Sequence, residues 1–273
     1  LRVNQTMLDV TGNNIANANT IGYKASATVF QDTLSQMLTG ASAASTIKGG
    51  TNPIQVGLGV QLAATATNFN QGSAQTTNRP TDLMLQGDGF FITRKDTEML
   101  YTRAGSFTFD DNQNLVTPTG NRVQGYLLDA AGAPTGGLVD MTLDPANAVP
   151  AAPAGVQMTS YNIASDGKIR GVFDDGVQRD LGQLAVADFA NPMGLEKVGE
   201  TSFRASADSG SAQLGVAAQG RRGTIIGGAL EMSNVDLAAE FTNLILAQRG
   251  FQASSKVITT SDQVLEDLVN IKR

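Results

Sequence analysis

Asp110, Asn112 and Asn114 stand two residues apart, the spacing at which a chain can wrap oxygen ligands around a calcium ion. Such a loop also needs a glycine at its sixth position and a glutamate at its twelfth, where this chain has Leu115 and Asn121. A hairpin turn accounts for these residues better. Asp174 and Asp175 are adjacent carboxylates, but neighbours on a strand or turn point apart, whereas acid–base chemistry needs two carboxyl groups converging on one bond. Arg221 and Arg222 offer positive charge to an anion, yet beside a glycine-rich stretch they read as solvated. The chain has no Cys and no His, which removes thiol nucleophiles, thiolate and imidazole ligands, and the side chain best suited to proton transfer near neutrality. Phosphate loops, dinucleotide fingerprints and serine elbows are absent from the sequence. No catalytic, cofactor or metal site is expected, and the chain does not read as an enzyme.

The formal charge of -6 disfavours nucleic acid and anionic membrane surfaces, both of which require a basic footprint. No run approaches the roughly 20 apolar residues that span a bilayer, so membrane insertion is not expected. No charged segment followed by an apolar stretch marks a cleaved signal. Because the first residue is Leu1 and not Met, a short leading segment is expected to be missing. Aromatics make up only 5% of the chain and glycines number 30, which predicts cores packed from small side chains.

The strongest periodicity lies at the C-terminus. Leu237, Phe241, Leu244, Phe251, Ile258, Leu265 and Val269 fall on an alternating four-three ladder, with polar Gln248, Ser255 and Asp262 at the remaining rungs. A helix from Asn234 to Lys272 would be roughly 58 Å long. Ser233 followed by Asp236 is read as its start signal. A helix of that length needs a partner along its stripe, because packing and not propensity supplies most helical stability. Gly250 inside it marks close approach or bending. At the N-terminus Leu1, Leu8 and Ile15 recur every seven residues, with Asn4 and Thr11 on the same ladder, and Gly22 gives an exit. Asn13, Asn14, Asn17 and Asn19 crowd the end of that segment, where their amides can bond locally or to neighbours.

Residues 25–80 read as a connecting region with a short helix around Phe30, Leu34 and Leu38. Residues 81–204 read as an inserted β domain, with turns at Gly87-Asp88-Gly89, Asp110 to Asn114, Asp166-Gly167, Asp175-Gly176 and Asn191-Pro192. Asp144 to Gly155 is a surface loop within it, and residues 205–232 form a return linker. The fold class is α+β: residues 1–24 and 233–273 form N- and C-terminal helices paired in a coiled-coil-like layer, with a mainly antiparallel β domain between them. A single long helix with one weak partner leaves apolar surface uncovered, which marks self-association; head-to-tail contacts between identical copies build a helical assembly when they do not close. The expected assembly residues are Leu8, Asn13, Asn14, Ile15, Asn17, Leu237, Phe241, Leu244, Phe251, Ile258, Leu265 and Val269.

The ends resemble the flagellar axial protein family. The residues that carry this are the run from Leu8-Asp9-Val10-Thr11-Gly12 through Ala18-Asn19-Thr20-Ile21-Gly22-Tyr23-Lys24, Glu231-Met232-Ser233-Asn234-Val235-Asp236-Leu237, Gln248-Arg249-Gly250-Phe251-Gln252-Ala253, and the ending Leu268-Val269-Asn270-Ile271-Lys272-Arg273. Gly49-Gly50-Thr51-Asn52-Pro53, Leu85-Gln86-Gly87-Asp88-Gly89 and Ala187-Asp188-Phe189-Ala190-Asn191-Pro192 agree. Within the family the resemblance runs to the hook branch before the distal rod branch, in a short form without an additional outer domain. It implies an extracellular tubular homopolymer, exported through the flagellar type III apparatus without a cleaved signal, whose paired helices line a channel and whose β domains lie outside. Implied neighbours are the distal rod protein, the hook cap and the hook–filament junction proteins. A secreted carbohydrate-active or ligand-binding β domain is the competing reading.

Overall fold

The computed structural model describes residues 2–43, 49–151, 153 and 156–271. Leu1 of the N-terminal ladder, Ala152, Ala154 and Gly155 of the expected loop, and the Lys272-Arg273 ending lie outside the described residues. The chain divides into two units. One takes residues 1–16, 26–68 and 236–273, the other 17–25 and 69–235. The expected α+β class is present, with one helix at each end and antiparallel strands between.

In the first unit, helix α1 spans Arg2–Ala16 and helix α2 spans Leu237–Ile271. The strand Ser26–Asp32 pairs antiparallel with Val60–Thr67, from Ser26 opposite Thr67 to Asp32 opposite Val60. Ser35–Thr39 then pairs with Ile54–Gly57, and the bonds Thr33 N to Gly59 O and Leu58 N to Leu34 O join the two ladders into one long arm. The short helix expected around Phe30, Leu34 and Leu38 is therefore corrected to strand. Apolar residues four apart share a face on a helix, but four is also an even number, so they share a face on a strand as well. Thr28, Val29 and Thr33 supply the β-branched side chains that favour the extended choice.

In the second unit, twelve strands among the described residues join one antiparallel sheet. Its centre is Gln178–Asp188, flanked by Phe90–Lys95, Arg122–Leu128, Lys168–Phe173 and Gln213–Val216. Side chains alternate across a strand. Leu184 and Val186 thus enter one core with Phe91, Phe107, Ile169 and Phe173, while Ala185 and Ala187 enter a second with Phe90, Phe189 and Phe203; Leu181 joins the first core because the register shifts between Gly182 and Asp180, which resets the alternation. Both faces are covered, which explains the near-continuous apolar run in that strand. The expectation of small-residue cores is corrected here. Phe90 stacks edge-on with Phe69, Phe189 and Phe203 at centroid distances of 5.4, 5.8 and 6.0 Å, so the few aromatics are concentrated where two faces need filling.

Three of the expected turns close hairpins: Asp110 to Asn114, Asp166-Gly167 and Asp175-Gly176. Gly87-Asp88-Gly89 does not. Leu83–Gln86 pairs with Thr224–Gly227 and not with the following strand Phe90–Lys95, so this turn carries the chain from a two-stranded sheet into the main one. Gly89 has φ +124, and a Cβ there would meet Val186 Cγ1 at 2.6 Å, so glycine is required on two counts. Strands also continue past Arg204, through Gln213–Val216, Thr224–Gly227 and Ala229–Glu231, in the stretch read as a return linker.

Candidate functional site

Helix α2 begins one residue after its cap. Asp236 Oδ1 accepts from Ala238 N at 2.9 Å and Ala239 N at 3.2 Å, satisfying two amides that the first turn leaves without partners. Ser233, expected at the start, instead accepts from Val235 N at 3.3 Å and stands outside the helix. The start is corrected to Asp236.

Helix α1 lies antiparallel along the first part of α2. Asn14 Nδ2 donates to Glu240 Oε1 at 2.9 Å, and ten residues along each helix a Cβ at Gly250 would come 2.7 Å from Asn4 Nδ2. Asn14 also clasps Ser26, donating to its carbonyl at 2.8 Å and accepting from its amide at 3.0 Å. The half-buried residues Glu240, Asn243, Leu244, Gly250 and Ser254, with buried Ala247, form the covered stripe of α2. It is small and polar beside the expected ladder, and Leu244 is the one ladder residue in it. Leu237, Phe241, Phe251, Ile258, Leu265 and Val269 are exposed.

A second set of apolar residues, unnoticed in the sequence, lies about 100° around α2 from Ala247, whereas Phe251, Ile258 and Leu265 fall nearly in line with Ala247 and continue the covered stripe toward the C-terminus. Val257, Val264 and Ile271 recur every seven residues, as Phe251, Ile258 and Leu265 do, and Leu246 and Leu268 join them. Consecutive helical positions differ by about 100°. The two repeats, offset by one or more residues, therefore occupy different faces, and both are exposed. On α1, Leu8 and Ile15 are half-buried, Asn13 is exposed and Asn14 is buried. Asn17 belongs to the other unit, where its carbonyl and side chain accept from Thr20 N at 3.1 Å and Thr20 Oγ1 at 3.0 Å to close a turn.

That second unit holds a buried ionic clamp built from the two terminal sequence motifs. Lys24 Nζ donates to Glu231 Oε1 at 2.6 Å and to Asn70 O at 2.8 Å; the side chains of Lys24 and Glu231 are 0% exposed. Glu231 Oε1 also accepts from Gly72 N at 2.9 Å, and Arg103 Nη1 lies 3.6 Å from Oε2. Burial pushes the Lys24 ammonium below its ordinary range, while attraction to Glu231 opposes the shift. Arg103 is lowered by the same burial, again opposed by Glu231. Its guanidinium sits 5.3 Å from the Phe90 ring centroid. Lys24 and Glu231 each stood in a motif singled out in the sequence, but 207 positions apart nothing local pairs them.

The remaining candidates resolve as local structure. Asp110 accepts from Asn114 N at 2.7 Å and Asn114 Nδ2 at 2.9 Å, and the Asn114 side chain holds its carboxyl below the usual carboxylate range. Asp175 receives both terminal nitrogens of Arg179. Arg222, expected to be solvated, is corrected: it donates to Leu214 O at 3.1 Å and Gln219 O at 3.2 Å, with its guanidinium against Gly215. No helix among the described residues is long and apolar enough to cross a membrane.

Comparison with known proteins places similarity on the same elements. Residues 1–24 match the family described as flagella basal body rod protein, residues 84–171 the flagellar hook protein FlgE/F/G D1 domain, and residues 226–271 the flagellar basal body rod FlgEFG protein C-terminal. The chain is 42% identical over 270 residues to the flagellar basal-body rod protein FlgG of Bacillus subtilis, covering 98% of this chain and 94% of that one. To the flagellar hook protein FlgE of Borreliella burgdorferi it is 29% identical over 430 aligned residues, covering 100% and 97%. With the hook protein FlgE of Helicobacter pylori it shares 51% identity over 109 residues, 40% of this chain and 15% of that one.

Proposed function

The chain belongs to the flagellar hook and basal-body rod protein family, in a short form, and on that premise we propose that it is the subunit of a tubular hook polymer. It acts as a structural protein and not as an enzyme. The observation that carries this reading is the pair of exposed seven-residue apolar repeats on α2. One repeat continues the face that receives α1 and the other lies on a separate face, so α2 keeps exposed apolar surface on two sides, which identical neighbours in a tube can cover. The helices then pair as a coiled-coil-like inner layer around an export channel, and the β unit lies outside. The protein leaves the cell through the flagellar export apparatus. Its neighbours along the axis are the distal rod protein, the hook cap and the hook–filament junction proteins.

The hook assignment is supported locally by the 51% identity shared with one FlgE over 109 residues, 40% of this chain, while over the full length the identity is 42% to the Bacillus subtilis FlgG and 29% to the Borreliella burgdorferi FlgE. A distal rod subunit is the second reading, favoured by the near full-length correspondence to that FlgG, which is close to this chain in size. A hook must bend while it turns, so its protofilaments lengthen and shorten as outer domains slide; a rod must not. Electron microscopy of polymers assembled from purified protein separates the two. Curved or supercoiled tubes support the hook, straight tubes the rod, and a persistent monomer overturns both.

A further inference from the structure

The chain crosses between its two units at 16/17, 25/26, 68/69 and 235/236. Three of these crossings are flanked by one hydrogen-bonded knot inside the β unit. Ala25 N donates to Asn234 Oδ1 at 2.9 Å, Asn234 Nδ2 donates to Asn70 O at 2.9 Å, and Lys24 Nζ donates to that same carbonyl at 2.8 Å. Ala25 is the last residue before its crossing, and Asn70 and Asn234 each stand one residue further in. The partners are far apart in sequence: 209 positions separate Ala25 from Asn234, and 164 separate Asn234 from Asn70. Behind the knot the Glu231 carboxylate holds Lys24 and Gly72 N, so the same three segments are joined twice, by charge and by amide.

The helical unit is discontinuous. Its three segments must be gathered from the beginning, the first quarter and the end of the chain before α1, α2 and the arm can pack. Gathering distant segments costs loop-closure entropy, and a tether near their ends replaces that cost with a high effective concentration. We infer that Asn234 is a positioning residue whose carboxamide ties three crossings into one root, so that the β unit, once folded, presents the segments of the helical unit for pairing. A primary amide suits this role, since it can accept from one backbone N–H and donate to one backbone carbonyl at once. Removing the Asn234 carboxamide takes away the bonds from Ala25 N and to Asn70 O that link the crossings.

The test is amide hydrogen exchange on the full-length monomer, below the concentration at which polymers form, comparing Asn234→Ala with the parent chain. Because only monomer is measured, the outcome stands apart from whether the polymer is hook, rod or neither. Exchange in α1 and Ser26–Asp32 is expected to speed up about tenfold or more, while amides of Gln178–Asp188 keep their protection. Asn234→Asp retains an acceptor for Ala25 N and loses the donor to Asn70 O; it is expected to fall between the two, and it carries the same comparison if Asn234→Ala does not fold. Unchanged exchange in α1 overturns the inference. So does equal acceleration in both units, which would make Asn234 an ordinary contributor to the stability of the β unit.

Discussion

Gly250 of α2 lies against Asn4 of α1, so close that a Cβ there would sit 2.7 Å from the amide nitrogen. The nearest atoms are the end of a flexible side chain, not backbone, which makes the site tolerant of one carbon and intolerant of several. Ala in place of Gly within a helix is favourable by about 1 kcal/mol, which offsets the displacement of one side-chain amide of similar worth. Gly250→Ala is therefore expected to leave stability within about 1 kcal/mol of the parent. Gly250→Leu is expected to push α1 away, and far-UV circular dichroism should lose the signal of the 15 residues of α1 while α2 persists.

The clamp gives a larger effect. Lys24→Met leaves the Glu231 carboxylate buried with Gly72 N and the more distant Arg103, and stranding one partner of a buried pair costs about 3 kcal/mol or more. The loss should appear in urea unfolding followed by near-UV signals from the Phe90 and Tyr101 core. A midpoint unchanged from the parent would show that Arg103 alone satisfies Glu231.

The same residue sets a pH dependence. Lys24 titrates below its ordinary 10.5 in the folded protein because burial disfavours the ammonium, the attraction to Glu231 notwithstanding. Between that depressed value and the ordinary one, the unfolded chain binds a proton that the folded chain does not. Stability attributable to Lys24 therefore rises with pH across this window. Tyr101 and Tyr161, whose hydroxyls are raised by burial, contribute the opposite slope above their ordinary 10.0. Subtracting the stability–pH curve of Lys24→Met from that of the parent isolates the lysine, and the difference should climb toward alkaline pH.

Legibility from sequence followed the range of the interaction. The turns at Asp110 to Asn114, Asp166-Gly167 and Asp175-Gly176 were readable because the residues that close them are neighbours. The extent of α2 was readable because one period persists through it, though its cap moved from Ser233 to Asp236, both of which bear suitable oxygens. The arm was misread because spacings of four fit two kinds of element. The covered stripe of α2 was missed for a different reason: hydropathy marks apolar residues whoever their partner is. Within the chain α1 is received by Ala247, Gly250 and Ser254, small residues that allow close approach, while the apolar repeats are left outside. Lys24 and Glu231 were quoted as parts of separate motifs, and only the folded chain brings them together.

Those outside repeats yield the most direct test of assembly. Phe251, Leu265 and Val264 are exposed in the single chain, so a charge at any of them meets water in the monomer and costs little there. In a polymer whose neighbours cover both faces, the same charge is desolvated without a partner, at a cost of several kcal/mol. Phe251→Asp and Leu265→Asp on one face, and Val264→Asp on the other, should each raise the critical concentration for polymerisation at least a hundredfold by sedimentation. Thermal unfolding of the β unit should not change. Leu244→Asp differs, because Leu244 is half-buried on the stripe that receives α1, and it is expected to lose α1 pairing and polymerisation together. Normal polymers from Val264→Asp alongside none from Leu265→Asp would reduce the two faces of α2 to one. Normal polymers from all three exposed-site variants would remove α2 from the interface altogether.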